Sequence, residues 1–282
     1  MSNFRTTFRI DPSSRKISYH DPVLFAGSCF SISIGRQFES GRMPVMINPY
    51  GTMYNPVSVS RVVDAVAANR KYSQGDLYDN DGTWISFEHS TEFSSADSTE
   101  VLSMIGRRTE EAHRFISGAG FLFITFGTAR VYRLAENGRI VSNCHKLPQS
   151  RFIQELLEVE EIVELWSAQL DKLERLFPDL QVVFTISPVR HWKDGAHGNQ
   201  VSKSVLFVAV EKLLEHPSKP SYFPSYELVM DDLRDYRFYG EDMIHISQPA
   251  VEYIWDAFCS CYSSETTLEC CHAVSGITRS LS

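Results

Sequence analysis

The sequence predicts a three-layer α/β/α domain built on a mainly parallel sheet. Two observations lead there. Short apolar runs, PVLFAGS at 22–28, PVMINPYG at 44–51, FLFITFG at 121–127 and VVFTISP at 182–188, each stop at Gly, Ser, Asn or Pro. Continuous apolar runs of this length suit strands covered on both faces. Between them lie longer stretches with apolar residues at three- and four-residue intervals, and strand alternating with helix implies parallel crossovers. Such sheets hold their ligands beyond the carboxyl ends of the strands, so function is expected where the runs stop.

Taken in order, the first strand (22–28) is followed by SISIGRQFE, which can form a helix, and the second (44–51) ends in the glycine-bearing turn Asn48-Pro49-Tyr50-Gly51. Segment 71–95 interrupts the rhythm, with DNDG at 79–82 before TWISFE suggesting a turn and an added strand. A helix is expected over 97–116, where Asp97 and Glu100 have capping-box spacing and Val101, Met104, Ile105, Ala112 and Phe115 make an apolar stripe. The third strand (121–127) leads to a hairpin over 131–142, signalled by Asn137-Gly138. Residues 151–176 read as a helix on the spacing of Ile153, Leu156, Leu157, Ile162, Val163, Leu165, Trp166, Leu170 and Leu173. After the fourth strand (182–188), a last helix begins near Ser247, with Pro249 in its first turn and a stripe of Val251, Ile254, Trp255 and Phe258. The hairpins decorate one domain, 1–262, and a cysteine-containing tail, 263–282, follows it.

With 282 residues, 43% of them hydrophobic, the chain can bury a substantial core. Its net charge of −8 comes without a long basic run, which argues against a nucleic-acid partner. No stretch has the length and apolarity to cross a bilayer, and MSNFRTTFRIDPSS lacks the pattern of a cleaved leader. A cytoplasmic protein without a membrane partner is expected; oligomeric state is not indicated. The cysteines, Cys29, Cys144, Cys259, Cys261, Cys270 and Cys271, crowd toward the C-terminus rather than spreading as a disulfide framework, so reduced thiols are expected. Cys259-x-Cys261 and Cys270-Cys271-His272 lack the two-residue gap of a zinc knuckle, and no metal is assigned to them.

Ser28 stands where the first strand stops and a helix starts, near free N–H groups that favour negative charge. It reads either as a nucleophile or as a helix cap. Cys29 reads either as an activated thiol or as a small packed side chain. A serine nucleophile needs a base, and Asp242 and His245, three apart just before the last helix, have the chemistry of an oriented imidazole. His191 and His197 are rival bases without an acid at that spacing.

Together these blocks resemble the four blocks of the SGNH (GDSL-type) hydrolase superfamily. AGSCFS at 26–31, NPYGTMYNP at 48–56, FGTARVY at 126–132, NCHKLP at 143–148, SPVRH at 187–191 and YFPSYELVMDDLRDYRFYGEDMIH at 222–245 resemble the GSCFA-domain family within it. The resemblance implies a flavodoxin-like sheet and a serine esterase that needs no cofactor. Ser28 would be the nucleophile, His245 the base and Asp242 its partner, with the N–H groups of Ser28 and Gly51 as oxyanion donors. The third-block asparagine of many superfamily members is missing from Gly127-Thr128-Ala129-Arg130. Thr128, Arg130 and Asn143 are candidates to replace it, and Arg190 and His191 are candidates to bind substrate. A small acyl ester, on a saccharide by analogy with carbohydrate esterases, is the implied substrate. A non-catalytic ligand-binding protein on the same fold is the alternative.

Overall fold

The structure, a computed structural model, describes residues 6–281. From the N-terminal side, β1 (Val23–Gly27) leads through α1 (Cys29–Ser40) to β2 (Val45–Ile47), and α2 (Pro56–Ala67) follows. A hairpin of β3 (Tyr78–Asn80) and β4 (Thr83–Ile85) precedes α3 (Ser98–Ile116) and β5 (Phe121–Phe126). Next come β6 (Arg130–Leu134), β7 (Ile140–Val141) and β8 (Phe152–Leu156), which pair antiparallel in the order β7-β6-β8. The chain continues through α4 (Val159–Leu176), β9 (Gln181–Ile186), α5 (Gly195–Leu214), β10 (Ser221–Tyr222) and α6 (Ser225–Glu227), which runs into a π-helical turn at Leu228–Leu233. It closes with α7 (Gln248–Tyr262) and α8 (Glu265–Leu281).

The main sheet has the order β10-β9-β5-β1-β2 and is parallel throughout. Successive side chains of its strands point to opposite faces, and both faces are apolar. Leu24, Ala26, Leu122, Ile124 and Phe184 pack with Val62 of α2, Trp166 of α4 and Leu206 of α5. Val23, Phe25, Phe121 and Phe123 pack with Phe30 and Phe38 of α1 and Phe258 of α7. Phe38 lies edge-on to Phe25, Trp255 and Phe258, with ring centroids 5.5, 5.3 and 5.8 Å away. Each fully buried side chain of this kind contributes roughly 1.5–3 kcal/mol. The result is three layers, α/β/α, with the flavodoxin-like order in which the connection direction reverses between β1 and β5.

Several elements differ from expectation. The helix expected over 151–176 starts at Val159, because residues 152–156 form β8 against β6. Ile153 and Leu156 have helical spacing by coincidence: Ile153 is 52% exposed. The start of α4 is set instead by a capping box between Glu158 and Glu161. Asp97 does cap α3, accepting from Thr99 N at 2.8 Å, but Glu100 accepts from Ser95 Oγ and does not close a box. Ser247 occupies the cap position of α7, while its hydroxyl donates to Arg237 O. Within the expected tail, residues 265–281 are helical, with Cys271 buried and Cys270 exposed. All six cysteines are free thiols, and no helix among the described residues is long and apolar enough to cross a membrane.

Candidate active site

The crevice at the switch between β1 and β5 is built on glycine. Gly27 has φ +145°, and a methyl group there would come within 2.2 Å of Thr125 O, so the two strands meet too closely for any side chain. Ser28 follows as the N-cap of α1, 1% exposed, its Oγ accepting from Phe30 N at 3.3 Å. Capping occupies one lone pair, and the hydroxyl proton has no acceptor among the described residues. The neighbouring Cys29 thiol is pushed up by burial, which disfavours the thiolate. The Cys29 N–H, in the first turn of α1, has no backbone acceptor among the described residues.

The imidazole side is assembled by a tight turn. Asp242 Oδ1 accepts from Ile244 N at 3.0 Å and His245 N at 2.9 Å, and Asp242 Oδ2 lies 2.6 Å from His245 Nδ1. Gly240 N donates to His245 O at 2.7 Å, and Tyr239 pairs with Ile246, closing the loop on itself. The hydrogen bond from His245, then those from the two N–H groups, hold the Asp242 carboxyl down at about 2. With Nδ1 held by a carboxylate, Nε2 is the nitrogen left to exchange a proton. Ser28 and His245 line one cavity of about 430 Å³, together with Tyr54, Thr128, Arg130, Arg190 and His191. No hydrogen bond joins Ser28 to His245; without substrate such contacts are commonly long.

His191 shares that cavity. A methyl group on Gly127 would come 2.9 Å from His191 Nε2 and 3.4 Å from Ser28 Cβ, so the ring stands close to the serine. The His191 backbone N–H donates to Asn199 Oδ1 at 2.9 Å, and the ring meets Tyr54 edge-on at 5.2 Å. Burial, reinforced by the charge of Lys203 and opposed by Asp194, lowers the imidazole to about 4, so it is neutral at pH 7. No carboxylate is hydrogen-bonded to this ring among the described residues. His197 is exposed on α5 and does not line the cavity.

The remaining candidates divide between this cavity and its neighbours. Thr128 Oγ1 is tied to Ser202 Oγ at 2.9 Å and accepts from Arg130 N at 3.1 Å. Arg130 pairs with Asp194 at 3.7 Å, and its Nε has no hydrogen-bond partner. Gly51 and Asn143 lie in an adjoining trough of about 730 Å³ that shares Tyr54, Thr128, Arg130, Tyr132 and His191 with the cavity. The Gly51 N–H already donates to Asn48 O at 2.8 Å and the Ser28 N–H to Thr125 O at 3.2 Å, so both N–H groups expected as oxyanion donors are engaged. Asn143 Oδ1 accepts from His145 N. Arg190 reaches toward a third hollow of about 570 Å³, bounded by Met230, Asp242 and the exposed Trp192 and Tyr236.

Four residues at the site were not singled out from the sequence. Asn48 Oδ1 accepts from Gly27 N at 2.9 Å, while its Nδ2 is buried without a partner. Asn199, Ser202 and Lys203 line the buried face of α5 and hold, respectively, the backbone of His191, of Ala129, and of Gly127 and Ser187. The available signal was NQVSK at 199–203, which puts polar residues at i, i+3 and i+4 on a helix otherwise expected to bury apolar ones.

A parallel sheet of this order, with Ser28 after β1 and the Asp242-bound His245 lining the same cavity, is a flavodoxin-like α/β/α arrangement. The chain belongs to the GSCFA family, whose model matches residues 22–258. No curated protein matches it. Among solved structures it is similar to the psychrotrophic esterase EstA from a Pseudoalteromonas species, at 10% identity and TM-score 0.41, covering 86% of this chain and 96% of that one. It is also similar to a GDSL-like lipase from Parabacteroides merdae, at 11% identity and TM-score 0.43, covering 89% and 98%. A family 3 carbohydrate esterase from Clostridium thermocellum aligns at 10% identity and TM-score 0.38, covering 90% and 98%.

Proposed function

We propose that the protein hydrolyses esters by acyl transfer through Ser28, His245 and Asp242. The observation that carries this reading is that Ser28 and the Asp242-bound His245 line one cavity at the β1/β5 switch point. Ser28 Oγ attacks the ester carbonyl as His245 Nε2 takes the hydroxyl proton, and Asp242 stabilises the imidazolium. The tetrahedral intermediate expels the alcohol, which receives that proton. Water, deprotonated by His245, then attacks the acyl-serine and releases the acid. With the Ser28 and Gly51 N–H groups engaged, the neutral ring of His191, whose Nε2 stands beside Gly127 and Ser28, is our candidate to meet the oxyanion.

The adjoining trough suits a polar alcohol. Its walls include the polar side chains of Asn48, Asn55, Arg130, Ser142 and Asn143, a lining suited to the hydroxyl groups of a bound saccharide. An O-acetylated saccharide is therefore the substrate we favour. The test is hydrolysis of p-nitrophenyl acetate and of an acetylated xylooligosaccharide, with a fluorophosphonate adduct mapped by mass spectrometry. The expected results are an adduct on Ser28 and a loss of about 10⁴-fold or more in Ser28→Ala. Equal rates for wild type and Ser28→Ala, with no adduct, would instead identify a non-catalytic binding protein.

A further inference from the structure

Lys203 is the most unusual side chain of the molecule outside the triad. It lies on α5, is 1% exposed, and donates from Nζ to Gly127 O at 2.7 Å and to Ser187 O at 2.6 Å. Among the described residues no carboxylate bonds it; its other close neighbour is the ring of Tyr226, 5.8 Å from Nζ. Burying an ammonium without an anion is costly, and two carbonyls compensate it with partial charge alone. Such a group is retained most readily where a positive charge has a task.

Its position suggests the task. The two carbonyls that hold it end β5 and β9, and Gly127 packs against Ser28: a methyl group on Gly127 would sit 3.4 Å from Ser28 Cβ. The ammonium thus stands behind the cavity floor, on the opposite side from substrate. Its charge is felt at the turn, where it lowers the pKa of the Cys29 thiol against the effect of burial, and at His191, where it helps keep the ring neutral. We infer that Lys203 is a positioning residue of the Ser28 site, a positive charge behind the floor that favours the oxyanion formed on the ester carbonyl when Ser28 attacks and compensates for the missing third-block amide.

This inference rests on the esterase reading and adds to it. Lys203 would not touch substrate, so its loss should lower kcat and leave KM nearly unchanged. The groups facing it are Cys29 of α1, Arg190 and His191 of the β9–α5 connection, and Tyr226 of α6. Burial, opposed by Cys29 and reinforced by Arg190, lowers the ammonium to about 7. The charged form is the active one, so the rate should decline as pH rises from neutrality.

The experiment uses the full chain and p-nitrophenyl acetate. Lys203→Met is expected to lower kcat about 10²-fold, the typical effect of one oxyanion-stabilising group, with KM within about threefold, and Lys203→Arg to recover a tenfold share of that loss. If Lys203→Met does not fold, the pH profile of kcat decides, measured in the wild-type chain, where burial pushes the Cys29 thiol up. A decline between pH 7 and 9 supports the inference, and a level rate over that range overturns it. A folded Lys203→Met with kcat within about twofold of wild type also overturns it. If Ser28→Ala remains as active as wild type, the esterase reading itself fails; if Ser28→Ala is dead and Lys203→Met is not, the role of Lys203 alone is rejected.

Discussion

The two halves of the site are built in opposite ways. Ser28 is nearly sealed, its backbone bonded to Thr125 and its preceding glycine clamped between β5 and Asn48. His245 and Asp242 stand in a surface loop, with side chains 58% and 50% exposed. The serine owes its place to strand packing, which many residues determine together. The histidine owes its orientation to five hydrogen bonds within residues 240–245. On the esterase reading, a nucleophile on a rigid floor and a base on a self-contained turn should respond differently to substitution: damage to the floor spreads into stability, and damage to the turn stays in the chemistry.

The sharpest test of that contrast is His245→Gln. On the esterase reading it should lower kcat/KM by about 10³-fold, close to 4 kcal/mol of transition-state stabilisation. Its melting temperature should stay within about 2 °C of wild type, because the ring buries little surface. His191→Gln, assayed beside it, separates the two imidazoles: a larger loss there than in His245→Gln would transfer the role of base to His191.

Gly27→Ala probes the floor. The methyl group would meet Thr125 O at 2.2 Å in a backbone conformation alien to alanine, and denaturant unfolding should register a loss of about 3 kcal/mol or more. A variant as stable as wild type would show that β1 and β5 can separate, and the contrast between floor and turn would weaken.

The smallest effect is expected from Asp242→Asn. Water surrounds this carboxylate, so its field on the imidazole is weaker than in a buried triad, and a loss of about 10- to 10²-fold in kcat should follow. Because the folded carboxyl is depressed to about 2, any stability it contributes is fully present above its unfolded pKa and is lost as pH falls from there through about 2. The acid limb of the wild-type rate should accordingly report the imidazole and not Asp242, which pH titration of His245 by NMR can check. An acid limb that moves with Asp242→Asn but not with the His245 titration would break the assignment.

Legibility followed burial symmetry. Strands β1, β5 and β9 could be read because both faces are covered and nearly every position is apolar, Thr125, Gln181 and Thr185 excepted. By contrast, β8 was hidden because all five of its residues are partly or fully solvated on a small sheet, and Ile153 and Leu156 imitate a helical stripe. At the site, the catalytic candidates Ser28, Asp242 and His245 were legible as reactive residue types beside turn signals. Asn199, Ser202 and Lys203 were not, since polar residues on a helix are ordinarily read as facing water, and here they face the carbonyls and amides at the sheet edge. The engagement of the Ser28 and Gly51 N–H groups was illegible for a related reason: whether an N–H is free depends on which acceptor the fold brings to it, as Thr125 O and Asn48 O show.

The sequence by itself determined the layers, the parallel sheet and the chemistry available at its edge, because apolar runs and turn residues act locally and leave their period in the chain. Tertiary structure decided which of those groups meet. It joined the first strand to the loop before α7, set Lys203 behind Ser28, and occupied two N–H groups that local reasoning left free. Such long-range pairings depend on how whole faces pack, and no short window of sequence contains both partners.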